Sequence, residues 1–142
     1  MKNVIWKMTI VLAVIPIFII GCGKSEFFGE PFSGDAPKTT IKQMLENPAD
    51  YVDKTVLIEG KIKEVCPAGC WFFANDDFGE LYINIGPSGF AIPNKMGHEV
   101  VIEGEGFMSN GKIILLGKSV EIKWDFWKLP IKIWKERKFV HF

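Results

Sequence analysis

Residues 55–65 read Thr-Val-Leu-Ile-Glu-Gly-Lys-Ile-Lys-Glu-Val, and apolar and polar side chains alternate over much of this stretch. Alternation with a period of two predicts a β-strand with one buried face. Gly60 lies near the middle of the stretch, where a strongly bent strand favours a residue without a side chain. The sequence therefore predicts a long, bent β-strand here.

Four further strands are predicted after this one, and turn-forming residues separate them. Asn75-Asp76-Asp77-Phe78-Gly79 and Ser109-Asn110-Gly111 have the chemistry of turns, and residues 86–97 form a connection rich in Pro and Gly. The four strands lie at 71–74, 80–85, 99–108 and 112–122. A bent first strand and a break after the third are typical of a five-stranded OB-type Greek-key barrel, so we predict a mainly β protein of that class.

A short helix is predicted before the first strand. Thr40-Ile-Lys-Gln43 has the form of a capping box, and Pro48 limits the helix to about residue 47. The apolar positions predicted to face the core are Ile41, Met44 and Leu45.

The first 21 residues have the pattern of a lipoprotein signal peptide. Lys2 and Lys7 precede an apolar run that begins near Met8 and ends in Ile19-Ile20-Gly21-Cys22. A small residue directly before a cysteine is typical of a lipobox, so Cys22 is the predicted lipid attachment site. The alternative, an uncleaved spanning anchor, needs roughly 20 apolar residues, and this run is shorter. We expect a lipid-anchored protein on the extracytoplasmic side of the cell membrane or the outer membrane.

The remaining chain is divided into three parts. Residues 22–37 are predicted to be a lipidated tether without regular structure, residues 38–123 an OB-fold domain, and residues 124–142 an aromatic and basic tail. Residues 22–123 carry 10 basic and 15 acidic side chains, whereas residues 124–142 carry 5 basic and 2 acidic ones. Because the body is acidic, we expect it to repel nucleic acid.

Four stretches together resemble a family of small exported OB-fold proteins of unknown function, marked by a Cys-x-x-x-Cys-Trp signature. They are 56–62, 65–71 (Val-Cys-Pro-Ala-Gly-Cys-Trp), 89–93 and 97–104. The resemblance covers roughly residues 40–122 and implies the barrel and an exported location, but no reaction. Pro67 and Ala68 stand where members of the family often carry basic residues.

Cys66 and Cys70 are the only cysteines besides Cys22, and three interpretations of the pair are open. A structural disulfide would pin the first hairpin of a small exported domain. A soft-metal site for copper or zinc would use both thiolates. A thiol–disulfide exchanger would need a cysteine with a lowered pKa.

A metal site needs more than two ligands, and the additional candidates are Met96, His98 and Met108. The first and fourth strands of an OB barrel are neighbours, so one end of the fourth strand can approach the cysteine loop. The competing interpretation makes His98 a surface turn residue and Met108 a partly buried edge residue.

Trp71 follows Cys70 directly and is predicted to point into the core. The alternative is a ligand-binding face made of Trp71, Phe73 and Tyr82, since aromatic residues on an OB barrel serve as stacking platforms. For an acidic, exported protein, an oligosaccharide or a peptide fits such a face better than nucleic acid does.

In the tail, Trp124, Trp127, Ile131 and Trp134 recur at helical spacing among basic residues, although Pro130 interrupts a continuous helix. The three tryptophans are candidates for contact with the membrane interface, where Trp and Lys are favoured. The alternative is a tail that packs against the barrel and covers a strand edge.

The sequence contains no catalytic triad, HExxH or phosphate-loop pattern, so we predict that the protein is not an enzyme. The predicted function is a membrane-anchored, extracytoplasmic OB-fold binding module that handles a soft metal, copper first, or redox chemistry through Cys66 and Cys70. The alternative is a structural or interaction domain with a Cys66–Cys70 disulfide that binds a protein, glycan or lipid partner.

Overall fold

The five predicted strands are present and close into a barrel. The computed structural model describes residues 24–124, so the predictions for the signal peptide, Cys22, Trp127 and Trp134 lie outside the described residues. The elements are β1 (Ser25–Gly29), α1 (Ile41–Glu46), β2 (Thr55–Val65), β3 (Trp71–Asn75), β4 (Glu80–Asn84), β5 (Glu99–Ser109) and β6 (Lys112–Lys123). Between Lys24 and Trp124, no helix is long and apolar enough to cross a bilayer.

The barrel closes because β6 pairs on both sides. The strand order is β6-β4-β3-β2-β5, and an antiparallel β5–β6 ladder returns to the start. The β4–β6 contact is parallel, whereas the other barrel ladders are antiparallel. This is the arrangement of an OB-type Greek-key barrel, so the predicted fold class is confirmed.

Strand β2 bends at Gly60, as its sequence predicts. It pairs with β5 from Thr55 to Lys61 and with β3 from Lys61 to Val65, so it changes partner next to the glycine. A Cβ atom at Gly60 would lie 3.0 Å from the Asn75 carbonyl oxygen and 3.2 Å from Ile41 Cδ1. The missing side chain therefore allows β2 to cross closely over β3 and α1.

One face of each strand fills the core, as alternation requires. The fully buried large side chains include Phe72 from β3, Ile83 from β4, Ile102 from β5 and Ile122 from β6. The tip between β5 and β6 is Asn110-Gly111, and both residues have positive φ angles, 51° and 77°. The predicted turn between these two strands is therefore confirmed, with the positive φ angles that Asn-Gly favours.

Helix α1 covers one opening of the barrel. The Thr40 hydroxyl accepts a hydrogen bond from the Gln43 N–H, and the Gln43 side chain accepts one from the Thr40 N–H, which confirms the capping box. Ile41 and Met44 are buried as predicted. The prediction for Leu45 is wrong, because its side chain is 40% exposed and lies over Gly79 at the barrel rim.

The expectation that residues 22–37 lack regular structure is also wrong. Strand β1 adds to the edge of β6, with Ser25 opposite Lys123 and Gly29 opposite Ser119. Further along, the Ser33 N–H donates to the buried Glu103 carboxylate at 3.0 Å. Residues 25–33 are therefore part of the folded domain, since both their backbone and the Glu103 side chain tie them to the barrel.

Candidate thiol and aromatic site

The cysteine loop, residues 66–70, joins β2 to β3 as a tight turn. The Cys66 N–H donates to the Trp71 carbonyl at 2.9 Å, and the Gly69 N–H donates to the Cys66 carbonyl at 2.7 Å. Pro67 occupies the second position of this turn, where its fixed φ is favourable. Gly69 has a φ of +74°, which a side chain would disfavour. These constraints place both thiols on one short loop.

The connection between β4 and β5 holds the cysteine loop from one side. The Ile92 N–H donates to the Gly69 carbonyl, and the Ile85 N–H donates to the Cys70 carbonyl, both at 3.1 Å. A Cβ atom at Gly69 would lie only 2.4 Å from the Ile92 carbonyl oxygen. The two segments therefore pack backbone against backbone, and this close approach requires glycine.

The two cysteines are free thiols, and their Sγ atoms are 3.4 Å apart. Cys70 donates its S–H to Cys66. The pKa of Cys66 is lowered, first by the backbone N–H of Ala68 and then by the Cys70 thiol. The pKa of Cys70 is raised, first because its proton is held by Cys66 and then by burial. The pair therefore consists of one thiol whose pKa is lowered and one whose pKa is raised.

Three aromatic side chains lie together beside the thiols. The ring centroids of Trp71, Phe73 and Tyr82 are between 5.4 and 5.8 Å apart in all three pairs. The pKa of Tyr82 is raised, first by burial and then by negative charge on Cys70 and Cys66. The Tyr82 hydroxyl therefore lies within electrostatic reach of the sulfurs. We call these three residues and the two cysteines the thiol–aromatic site.

The prediction that Trp71 lies in the core is wrong. Phe72 points inward and is fully buried, whereas Trp71 and Phe73 are half-buried on the outer face of β3. Phe72 pairs with Val65 in the β2–β3 ladder, after a register shift between Ile62 and Glu64, and this register determines which side chains of β3 face inward. The structure therefore brings together the three residues of the predicted ligand face.

The additional metal ligands predicted from sequence do not converge on the cysteines. Met96 is exposed, and His98 contacts the Lys123 carbonyl at 3.3 Å and the Trp124 ring. Met108 follows the β5 residues that pair with the start of β2, whereas Cys66 follows the end of β2. Within residues 24–124, no three His, Cys, Asp or Glu side chains are grouped as metal ligands.

Trp124 lies at the end of β6, against the barrel. Its ring centroid is 5.2 Å from that of His98 and 3.9 Å from Lys95 Nζ. The backbone N–H of Trp124 donates to the Lys24 carbonyl at 3.2 Å. The ring is still 40% exposed. Trp124 therefore has a packed side and a free side.

A separate cleft of about 420 Å³ opens near the bend of β2. Acidic and basic side chains line it together, including Glu59, Asp76, Glu99, Lys61 and Lys123. Neither cysteine lines this cleft, so it is distinct from the thiol–aromatic site.

The backbone groups that shape the thiol–aromatic site leave almost no signal in the sequence. The amides of Ala68, Ile85 and Ile92 are not marked by residue type, because any residue except proline supplies the same N–H. The only trace of the close packing is Gly69, and glycine is common in turns whether or not another segment packs against it.

The sequence matches no protein-family model and no curated protein. Solved structures resemble the fold. A structure of the hypothetical protein ygiW from E. coli is 20% identical, with a TM-score of 0.44, and the match covers 67% of this chain and 96% of the other.

Two other solved structures are similar to the same degree. A putative aspartyl-tRNA synthetase from Leishmania major is 16% identical, with a TM-score of 0.47 and coverage of 66% of this chain and 23% of that one. A chain of the S. pombe Stn1-ten1 complex is 9% identical, with a TM-score of 0.45 and coverage of 75% and 90%. Likenesses at these TM-scores do not bear on function.

Proposed function

We propose that this protein is a membrane-anchored, extracytoplasmic OB-fold module that handles redox equivalents through the Cys66/Cys70 dithiol. The observation that carries the proposal is the asymmetric thiol pair: the sulfurs are 3.4 Å apart, and Cys70 donates its proton to a Cys66 whose pKa is lowered. A thiol with a lowered pKa beside a second thiol is the arrangement that thiol–disulfide exchange requires.

The proposed exchange has two steps. The Cys66 thiolate attacks one sulfur of a partner disulfide, which forms a mixed disulfide and releases the partner's other sulfur as a thiolate. Cys70 passes its proton to that thiolate and attacks Cys66 Sγ, which forms the Cys66–Cys70 disulfide and releases the partner's second sulfur as a thiolate. That thiolate takes up a proton from water, which replaces the one that Cys66 lost on ionising. The partner thereby gains two electrons and becomes a dithiol, and this protein becomes oxidised.

The loop geometry supports ring closure in the second step. The two sulfurs need to approach by about 1.4 Å to reach an ordinary S–S bond of about 2.05 Å. Hydrogen bonds from Ile85 and Ile92 hold the loop backbone, so little additional ordering is required for the sulfurs to meet. The position of the resolving thiol is set before the partner arrives.

The aromatic side chains of the thiol–aromatic site provide a contact surface for the partner. Trp71, Phe73 and Tyr82 are half-buried on the outer face of the β3–β4 hairpin, directly beside the sulfurs. An extended peptide around a disulfide would pack its apolar side chains against these rings. We therefore propose a polypeptide disulfide as the substrate class.

A soft-metal carrier is the second candidate function. Two sulfurs 3.4 Å apart lie within reach of one ion, since a zinc–thiolate bond is about 2.3 Å long and thiolates favour Cu(I) and Zn(II). Because residues 24–124 place no third His, Asp or Glu ligand with the cysteines, such an ion would be held by the two sulfurs and an exogenous ligand.

The location and the exclusions are proposed from the sequence. The Ile-Ile-Gly-Cys22 lipobox supports lipid attachment and export, and an exported dithiol faces an oxidising compartment. The acidic body, with 15 acidic and 10 basic residues in positions 22–123, supports a protein that does not bind nucleic acid. The sequence motifs of hydrolases and phosphoryl-transfer enzymes are missing, which supports a module without those activities.

The test is a redox titration of the full-length protein, expressed in a bacterial membrane and purified without reductant. The protein is equilibrated in glutathione buffers of increasing oxidised fraction. Its free thiols are then trapped with an alkylating reagent, and its mass is measured by mass spectrometry. We expect a two-electron transition with a midpoint inside the glutathione range. Cys66→Ser and Cys70→Ser must each abolish it.

Two results would contradict the redox proposal. A pair that stays oxidised at every glutathione ratio would be a structural disulfide. In a second measurement, the reduced protein is incubated with Cu(I) or Zn(II) in the absence of oxygen, and its mass is measured by native mass spectrometry. Retention of one ion against a competing chelator, combined with no reversible oxidation, would replace the redox proposal by the metal carrier.

A further inference from the structure

Five residues form a basic and apolar surface at the end of β6, in which three are exposed and two, Lys95 and Lys123, are half-buried. They are Lys24, Lys95, Met96, Lys123 and Trp124, which we call the β6-end patch. The Trp124 ring lies 3.9 Å from Lys95 Nζ, and its backbone N–H donates to Lys24. Lys123 precedes Trp124, and its carbonyl contacts His98 Nδ1 at 3.3 Å. The five residues are thus held together by direct contacts or by adjacency in the chain.

The 95–98 turn gives the patch an apolar tip. The His98 N–H donates to the Lys95 carbonyl at 3.2 Å, and Gly97 has a φ of +84°, as the third residue of a type II turn requires. Met96 is the second residue of the turn, and its side chain is 57% exposed. Together with Trp124, which is 40% exposed, it presents a large apolar group among three lysines.

Both flanking sequences join the barrel at this patch. Residues 1–23 lead into Lys24 and residues 125–142 continue from Trp124, and these two residues share a backbone hydrogen bond of 3.2 Å. The proposed lipid attachment at Cys22 is two residues before Lys24, a span of at most about 7 Å. The flanking sequence after Trp124 contains Trp127, Trp134 and five basic residues. A lipid inserted at Cys22 would bring the patch to the bilayer surface.

We propose that the β6-end patch docks on the headgroup region of an anionic bilayer. Trp and Met fit the boundary between headgroups and acyl chains, and lysines reach along their stems to anionic headgroups. Glu99 lies opposite Lys123 on the β5–β6 ladder, and Glu59, Asp76 and Asp77 line the same cleft as Lys123. These carboxylates offset the charge of Lys123, so Lys24 and Lys95 supply most of the attraction. The barrel is then held in one orientation on the membrane, with the end of β6 facing the lipid.

This inference rests on the proposed lipid anchor, because the anchor sets the distance between patch and bilayer. The experiment uses the full-length lipidated protein, reconstituted in vesicles of pure phosphatidylcholine or of phosphatidylcholine with phosphatidylglycerol. Lysines are acylated briefly with a water-soluble reagent, and the modification of each lysine is read by peptide mass spectrometry. Lys54 and Lys112 are exposed at the other end of the β2–β5 and β5–β6 ladders, and they serve as internal references.

In anionic vesicles, we expect Lys24 and Lys95 to be acylated less than the reference lysines. In neutral vesicles, we expect this protection from acylation to fall. Raising the salt concentration should remove it, since the attraction is screened. Lys95→Glu should weaken docking by at least about fivefold, the contribution of one lysine near an anionic surface. Met96→Ser tests the apolar contribution without changing charge. Lys112→Glu is the matched control, read against Lys54 as the remaining reference, and it should leave protection unchanged.

The outcomes separate docking from anchoring. A Cys22 peptide without lipid would overturn the proposed anchor. A lipidated Cys22 peptide with equal acylation of patch and reference lysines would overturn docking and leave the anchor standing. Protection that is independent of the vesicle lipid and rises with protein density would identify a second copy of this chain as the occupant, and would also overturn the proposal.

Discussion

Two hairpins of the barrel differ in what surrounds them. Both contain a glycine with nearly the same backbone conformation: φ is +74° at Gly69, in the cysteine loop, and +77° at Gly111, between β5 and β6. A Cβ atom at Gly111 would meet nothing within 4 Å, whereas one at Gly69 would lie 2.4 Å from the Ile92 carbonyl oxygen. One hairpin projects freely, and the other is packed against the β4–β5 connection.

The difference shows how the barrel fixes the geometry of its thiols. A free two-residue turn needs only the correct local residues, so Asn110-Gly111 is sufficient for the β5–β6 hairpin. The cysteine loop is held by hydrogen bonds from residues remote in sequence, Ile85 and Ile92. The relative position of the sulfurs is therefore a property of the whole barrel and not of the loop alone.

Alanine substitution at Gly69 and at Gly111 gives the largest expected difference between the two hairpins, measured as the loss in the free energy of unfolding. Gly69→Ala places a methyl group against backbone atoms and also strains the φ angle, so we expect a loss of about 2–4 kcal/mol in the free energy of unfolding. Gly111→Ala carries only the conformational strain, and we expect a loss of about 1 kcal/mol. Urea unfolding of the soluble chain from Gly23 onward measures both, since the core residues lie between positions 41 and 122.

The control is the same comparison after reduction and alkylation of the cysteines. If the packing of Gly69 against Ile92 is responsible, the difference between the two variants persists without the thiols. Equal losses at Gly69 and Gly111 would show that the β4–β5 connection does not hold the loop.

A thiol in the cysteine loop should react at a different pH from a thiol in the β5–β6 hairpin. Cys66 has a lowered pKa and Cys70 a raised one, so Cys66 should be alkylated first, and its reaction should begin at lower pH than that of a free thiol. The matched control is Lys112→Cys in a chain lacking Cys66 and Cys70, which places a thiol in the exposed hairpin. Iodoacetamide labelling from about pH 6 to about pH 10, a range that brackets ordinary thiol ionisation, followed by peptide mass spectrometry, gives the two pH profiles.

The single-cysteine variants test the origin of this asymmetry. In Cys66→Ser, Cys70 loses first the sulfur that accepts its hydrogen bond and then the neighbouring charge that opposes its ionisation, so its profile should move to lower pH than in the native pair. In Cys70→Ser, Cys66 keeps the Ala68 N–H, the first cause of its lowered pKa. If the profile of Cys66 in that variant coincides with that of the exposed control, the backbone amide does not lower its pKa.

The barrel is predictable from sequence because β2 alternates apolar and polar side chains and turn-forming residues separate the other strands. The long strands β2 and β5 and the Asn-Gly turn carry their own signals in residues 55–65, 99–109 and 110–111. Strand β1 does not, because Ser-Glu-Phe-Phe-Gly pairs with the distant edge of β6 and its apolar residues are adjacent instead of alternating.

The thiol–aromatic site is predictable in its residues and not in its orientation. Trp71-Phe72-Phe73-Ala74 is apolar throughout, so composition does not show which side chains face inward. The pairing of Phe72 with Val65 decides it, and that pairing depends on a register shift in β2. One step in register would exchange Trp71 and Phe72 between the core and the surface.

The outer faces of the two hairpins give the smallest expected difference. Trp71→Ala removes a ring that contacts Phe73 and Tyr82, and a Trp71/Tyr82 double-mutant cycle in urea should give a coupling of about 0.5–1.5 kcal/mol. Phe107, on the free hairpin, is 46% exposed, and Phe107→Ala should change stability by no more than about 0.5 kcal/mol. A zero coupling would mean that the rings are close without stabilising each other.

Because the aromatic cluster is proposed to contact a polypeptide, Trp71→Ala should also slow exchange with a peptide disulfide while leaving exchange with glutathione unchanged. Equal slowing of both reactions would instead assign the ring to shaping the cysteine loop.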